Sequence, residues 1–473
     1  MRVEEDCVKC LMNLFEIITC VLDATSSHRY TMLTMRVLIF GLGALGGGFA
    51  SASYFLDRGD EVRVTDMRSP RELGNFVQLL QDRGALVICG EHRQEDFLWA
   101  DLVVKNPAVR PDSPYLQLAK QVTTDIAFLL QSPLVQSLIK IAVTGTKGKT
   151  TTVAAVTHIL NATGHEAVQL GNMGISGFSI LANFEERLHR GKDLPQYLVC
   201  ELSSWQIRDL YATMTDLTPN FHVVALTSLF PDHLNHYTDY GSYKEDKWLL
   251  FGSRKTRMIV PKSVHREIIE VSDIKAKYIR TTESFFGVES CDIKLRTAWA
   301  ICRSIGIGIK QLSDALVTFR GVPHRQEQLG MIQHVVFIND SSATIPEATT
   351  FSCSGCPWPY HLICGGTDKN LAPEGMLQAI QGASGLYLLD GSFTRNKLIP
   401  MLHHRELTFK GPFSDMRSAF FAAYEQALAD TAMLPNVAVI LSPGASSFGL
   451  FSHEFDRGDQ FRHLFEELSE SYG

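Results

Sequence analysis

The chain has 473 residues, room for about three domains at roughly 150 residues each. It is 45% hydrophobic, 10% aromatic and 20% charged, which is globular composition and excludes collagen, coiled coil and wholesale disorder. A net charge of −7 gives no electrostatic footprint for nucleic acid or an anionic membrane surface, so neither is expected as a partner.

The N-terminal stretch Leu11–Leu22 is the most apolar near the start, but it carries Asn13 and Glu16 and follows Glu4, Glu5 and Asp6. A secretory signal needs positive charge there, and no apolar run reaches the roughly 18 residues of a membrane span. A cytoplasmic protein is expected. Met35 directly precedes the first convincing strand, so residues 1–34 read as a mis-chosen start or a loosely attached extension without assigned role. The ten cysteines are scattered, several within apolar runs, and read as reduced, buried thiols. Cys7/Cys10 and Cys353/Cys356 are spaced C-x-x-C, but neither has a second pair at zinc spacing nearby.

Three strand–helix blocks follow, and their alternation predicts parallel sheets covered on both faces. The first block has strands at Val37–Phe40, Glu61–Thr65 and Ala85–Cys89, the second at Ile139–Val143, Gln196–Glu201 and Phe221–Leu226. The third has Val335–Ile338, His361–Cys364, Leu386–Leu389 and Val437–Leu441. The expected division is an extension 1–34 and domains at 35–133, 134–322 and 323–473.

In the first block Gly41-Leu-Gly43-Ala-Leu-Gly46 closes a strand and opens a helix, and Asp66 follows about 20 residues on. Glycines let a backbone approach a phosphate at a helix N-terminus, while the acid accepts from a hydroxyl. The pattern fits NAD and equally another nucleotide diphosphate. In the second block Gly145-Thr146-Lys147-Gly148-Lys149-Thr150-Thr151 follows a strand and starts a helix. That is the context of a phosphate loop for ATP, with Lys149 on the β/γ-phosphates and Thr150 on magnesium. It is a variant loop, because Val143 stands where the usual spacing has glycine.

Glu201 ends a strand beside this loop, where a carboxylate can ligate magnesium. His233, in Asp232-His233-Leu-Asn-His236, reads more readily as a cap or surface residue, and Lys247 on a helix reads by default as a solvated charge. In the third block Gly321-Val-Pro-His324-Arg325, Asn339-Asp340-Ser341-Ser342-Ala343-Thr344, Gly365-Gly366-Thr-Asp368-Lys369 and Ser442–Gly449 lie at strand ends. Together they mark one polar edge.

In order, these segments with E-L-S-S-W-Q, D-H-L-N-H-Y and Y-K-E-D-K resemble the Mur ligase superfamily from about residue 36 to the end. Within it they are most similar to the branch that joins D-glutamate to UDP-N-acetylmuramoyl-L-alanine through an acyl phosphate. The resemblance implies a Rossmann-like N-terminal domain, a central P-loop ATPase domain and a Rossmann-like C-terminal domain, acting as a monomer. It turns the first glycine loop from NAD to a UDP-sugar. Ala44, Leu45, Asp66 and Arg68 would then contact the uridine diphosphate, with Asn172, Ser203, Ser204 and Gln206 further along the substrate. Residues 145–151 with Arg325 and Asp340 would hold ATP. Glu201 and His233 would ligate magnesium with Thr150, and Lys247, carbamylated by CO2, would ligate a second ion. Lys149, Glu201, His233 and Lys247 form the implied catalytic set, and Thr344, Lys369, Ser447 and Phe448 the D-glutamate site. The chain departs from the branch at Ser342, where a lysine is usual, and at Gly287–Cys291, where a G-x-H-N segment would hold adenine.

Overall fold

The computed structural model describes residues 34–43, 46–171, 175–214, 221–230, 237, 239–251, 256–271, 279–291, 295–368 and 371–472. These form two compact units, the chain passing from one to the other between Phe319 and Arg320, and three sheets.

The first sheet holds β1 (Arg36–Phe40), β2 (Glu61–Asp66), β3 (Leu86–Cys89), β4 (Leu102–Lys105) and β5 (Val122–Thr123). All pairs are parallel in the order β3-β2-β1-β4-β5. β1 and β4 are almost wholly buried, as central strands covered on both faces must be. Strand order reverses between β1 and β4, which opens a crevice at their C-terminal ends.

The second sheet holds β6 (Ile139–Thr144), β7 (Ala167–Leu170), β8 (Tyr197–Glu201), β9 (Val223–Leu226), β10 (Arg257–Val260) and β11 (Ile279–Thr281). It too is parallel, in the order β11-β10-β9-β6-β8-β7. β6 lies between β8 and β9, so three strand tips converge around the turn that leaves β6.

One hydrophobic core runs through both sheets, from Val37 and Val64 to Phe184, Leu226 and Met258. An aromatic cluster joins their helices, with Phe178 5.1 Å from both Tyr54 and Phe55 and 5.0 Å from Phe128. Polar ties accompany it: Tyr54 donates to Glu185 at 2.8 Å, and Asp125 accepts from the Gly177 amide at 3.1 Å.

The second unit is built on β12 (Glu327–Ile332), β13 (Val335–Asn339), β14 (Tyr360–Gly365), β15 (Gly385–Leu389), β16 (Lys410–Phe413) and β17 (Val437–Leu441). Their order is β12-β13-β17-β14-β15-β16, parallel except for the β12–β13 hairpin. Separate cores cover its two faces, one around Phe337, Phe420 and Phe461, the other around Leu362, Met376 and Leu402.

All ten strands read from the sequence are present within a residue or two. The seven others (β4, β5, β7, β10, β11, β12 and β16) are short or carry polar residues, so their periodicity is weak. Among the described residues no helix is long and apolar enough to cross a membrane.

Candidate functional site

The turn after β1 is organised by Asp66 at the tip of β2. Its carboxylate accepts the amides of Leu42 at 2.9 Å and Gly43 at 3.1 Å. Arg68 returns to it with Nη2 at 2.9 Å and Nε at 3.1 Å. Burial pushes the Asp66 carboxyl up, but the Arg68 guanidinium and the amides of Arg68 and Gly43 outweigh it and hold it below its ordinary value. Asp66 therefore shapes the glycine turn, while Arg68 remains partly exposed at its edge. Gly46 caps the following helix, Gly47–Asp57, with φ 84°. The close helix-to-strand approach belongs to Gly48, whose Cβ would fall 2.3 Å from the Leu42 carbonyl oxygen. Ala44 and Leu45 lie outside the described residues.

Across the crevice, the β4 tip brings Asn106 against this turn. A Cβ at Gly41 would sit 3.0 Å from the Asn106 Cβ, and the Asn106 side chain accepts the Ala108 amide at 3.0 Å. Sequence reasoning passed over Asn106; an Asn-Pro step at a strand end was the available signal.

The phosphate loop after β6 rests on the tip of β9. Thr146 N donates to the Ser228 carbonyl at 2.9 Å and Lys147 N to the Ser228 hydroxyl at 2.9 Å. Thr227 donates to the carbonyls of Thr144 and Lys147. Only glycine fits at 145: φ is 145° and a Cβ would lie 2.1 Å from the Thr227 hydroxyl. Gly148, φ 85°, turns the chain into the helix Lys149–Ala162. Lys149 folds back to donate to the carbonyls of Gly145 at 2.9 Å and Thr146 at 3.2 Å.

Thr150 donates to Glu201 Oε1 at 3.1 Å, joining the loop helix to the β8 tip. Both side chains are buried, and together they offer the hard oxygens magnesium prefers. Lys247 corrects its default reading as a solvated charge, being 1% exposed. Its Nζ is 3.3 Å from the Gly145 carbonyl and 3.5 Å from the Thr144 hydroxyl, and it stands over the Tyr243 ring at 4.6 Å. The Tyr243 hydroxyl in turn meets that of Thr146 at 3.0 Å.

Ser203 and Gln206 form a capping box on the helix Ser204–Thr213, with Gln206 Oε1 accepting the Ser203 amide at 2.9 Å. The Tyr237 hydroxyl donates to Asp246 at 2.8 Å. Asn172 and His233 lie outside the described residues.

In the second unit, the loops after β13, β14 and β17 are laced together. Asp340 accepts the Gln326 amide at 3.0 Å and the Ser442 hydroxyl at 2.9 Å, and burial raises its carboxyl to about 6. Thr367 and Ser446 pair through both their amides, at 2.9 and 3.0 Å. Arg457, wholly buried and unremarked in the sequence reading, donates to Ser341 and to the carbonyls of Ser341 and Ala445. Arg325 is half-buried on the loop before β12, Thr344 half-buried, Ser447 buried and Phe448 exposed. Lys369 lies outside the described residues.

A glycine turn at a strand tip of one parallel sheet and a phosphate loop on the next are the build of an α/β nucleotide-binding enzyme. Family profiles agree: one described as "Mur ligase middle domain" matches residues 143–290, and "Mur ligase MurD-like, N-terminal domain" matches 35–127. The UDP-N-acetylmuramoylalanine–D-glutamate ligase of Borreliella afzelii is 31% identical over 92% of this chain and 98% of its own. The enzymes of that name from Roseiflexus and Treponema pallidum are 29% and 28% identical, over 92% and 90% of this chain and 99% and 96% of theirs. The fold matches that of UDP-N-acetylmuramate-alanine ligase MurC from Thermotoga maritima with a TM-score of 0.54 and 15% identity, covering 92% of this chain and 99% of that one. The chain belongs to the Mur ligase family, in the branch of the UDP-N-acetylmuramoylalanine–D-glutamate ligases. It is accordingly an ATP-dependent, amide-bond-forming ligase.

Proposed function

We propose that the chain joins D-glutamate to UDP-N-acetylmuramoyl-L-alanine at the expense of ATP, in cytoplasmic peptidoglycan precursor synthesis, and acts as a monomer. The observation that carries this reading is the near-full-length likeness to relatives of that name, with both anion cradles built in the same unit. In this reading 35–133 holds the uridine diphosphate, 134–322 the ATP and 323–473 the amino acid. Asp66 and Arg68 with Ala44 and Leu45 take the nucleotide, and Asn172, Ser203, Ser204 and Gln206 the remainder of that substrate. Arg325 and Asp340 reach ATP, while Thr344, Lys369, Ser447 and Phe448 receive D-glutamate.

Amide formation from a carboxylate and an amine is uphill in water, so the alanyl carboxylate first attacks the γ-phosphorus. ADP leaves and an acyl phosphate remains. The amine of D-glutamate then adds to the acyl carbon, and phosphate leaves from the tetrahedral adduct. Lys149, now spent on the Gly145 and Thr146 carbonyls, turns to the phosphates and offsets their charge. The loop amides at the start of the helix Lys149–Ala162 do the same. The donor set of Thr150, Glu201 and His233 suits magnesium, with a carbamate on Lys247 for a second ion. Bound there, magnesium would neutralise the phosphoryl oxygens. The buried Lys247 beside Gly145 supports that assignment, since a carbamate would convert a buried cation into an anion.

The test is phosphate release from ATP and magnesium with UDP-N-acetylmuramoyl-L-alanine and a panel of D- and L-amino acids. Release with D-glutamate, and the matching mass gain of the nucleotide product, is the expected result. Ser342 makes the panel necessary. Its hydroxyl is buried without a partner among the described residues, at the position where the branch usually has a lysine. Release with another amino acid alone would keep the ligase and move its specificity.

A further inference from the structure

Lys105 and Asp209 form an ion pair 2.6 Å long between the two sheets of the first unit. Their side chains are only 3% and 5% exposed. Lys105 is the last residue of β4, in register with Phe40, the residue before the glycine turn. Asp209 lies in the second turn of the helix Ser204–Thr213, which opens directly beyond Glu201 and carries Ser204. The same helix is tied to the helix of Lys247: Arg208 is 3.8 Å from Asp246, and the Tyr211 hydroxyl donates to the Leu249 carbonyl. Asp246 in turn accepts from the Tyr237 hydroxyl at 2.8 Å.

Stability does not explain such a pair. Desolvating two charges costs about as much as their attraction returns, and an apolar pair of equal volume is commonly as stable or more so. What an ion pair adds is a fixed geometry. The position matters because one end of the pair closes the strand next to the glycine turn and the other is on the helix beside the phosphate loop.

We propose that Lys105 and Asp209 are positioning residues that set the span between the nucleotide cradle on the first sheet and the acyl-transfer site on the second. The inference rests on the functional reading above, in which one substrate bridges both sheets. UDP alone needs only the cradle, whereas the full UDP-N-acetylmuramoyl-L-alanine needs the span.

The experiment compares the parent with Lys105→Met, Asp209→Leu and the double variant, reading thermal midpoints and the affinities of UDP, of UDP-N-acetylmuramoyl-L-alanine and of a non-hydrolysable ATP analogue. Each single variant strands a buried charge and melts lower; the double variant recovers most of the midpoint. In the double variant the affinity for the full substrate is expected to fall about tenfold or more, with UDP and the ATP analogue unchanged. Equal loss for UDP and the full substrate would overturn the proposal, because the pair would then shape only the cradle. Parent-like affinity for all three would overturn it as well. If the double variant does not fold, Lys105→Arg decides. That change keeps the charge but widens the head group, and the same selective loss is expected, parent-like binding being the refutation. A parent that binds UDP but not the full substrate would instead sink the functional reading on which the proposal stands.

Discussion

Lys149 shows how a single side chain is held ready. Its Nζ donates to the Gly145 and Thr146 carbonyls, and a bound phosphate would replace such bonds with charged ones. Lys149→Ala removes a donor that acts on developing phosphoryl charge, and phosphate release should fall about a thousandfold with the fold intact. Retained turnover would overturn the phosphate-loop assignment. Asp340 behaves differently, because burial lifts its carboxyl to about 6 against hydrogen bonds from Ser442 and the Gln326 amide. In the unfolded chain it titrates near 3.8. Between those values the folded chain holds a proton the unfolded one has released. The stabilisation is therefore complete below about pH 4 and lost as pH rises through about 6, a swing on the order of 3 kcal/mol. Asp340→Asn removes the swing, so urea midpoints of variant minus parent should climb from pH 4.5 to 7; a flat difference would refute it. The identities of Lys149, Glu201 and Asp66 were legible in the sequence because their chemistry is local to strand tips. The burial of Lys247 was not, since the groups it meets, Thr144 and Gly145, are remote in the chain and its own helix is mostly polar.

Among the elements, the entry into the helix Gly47–Asp57 separates glycines that look alike in sequence. Three stand in a row, and the fingerprint spacing points to Gly46, which takes φ 84° as the cap. The tight contact is at Gly48, where a Cβ would meet the carbonyl oxygens of Leu42 at 2.3 Å and Gly41 at 2.7 Å. At Gly47 a Cβ would meet nothing within 4 Å. Gly48→Ala should therefore cost about 2–3 kcal/mol and weaken UDP binding by distorting the turn. Gly47→Ala should be neutral or stabilise by up to about 1 kcal/mol, through helix propensity alone. Denaturant midpoints and UDP titrations of the two variants check the contrast, and equal effects would refute it. Spacing gives the cap, but packing distance arises only when β1 and the helix cross, so Gly48 was invisible in the pattern. The strands followed the same logic. Long apolar runs such as Val437–Leu441 announced themselves, whereas Leu102–Lys105 is four residues ending in a lysine and was passed over, although it forms the second wall of the crevice.

For the whole molecule, three sheets do not amount to three cooperative units. The cores of the last sheet draw only on residues after Arg320. A chain cut at Arg320 divides no hydrophobic cluster. The first two sheets instead share one core, in which Val37, Phe55 and Leu80 continue into Phe178, Leu226 and Met258. A cut near residue 133 would expose the Tyr54, Phe55 and Phe178 contacts and leave Glu185 and Asp125 without their partners across the junction. The fragment 320–473 should fold alone, with dispersed amide resonances and a cooperative melt. The fragment 35–133 should aggregate or remain uncooperative, because it loses the apolar area that covers its helix Gly47–Asp57. Calorimetry of the intact chain should accordingly resolve two transitions, with the one that UDP shifts upward belonging to residues before Phe319. An independently melting 35–133 fragment would show that the shared core is dispensable.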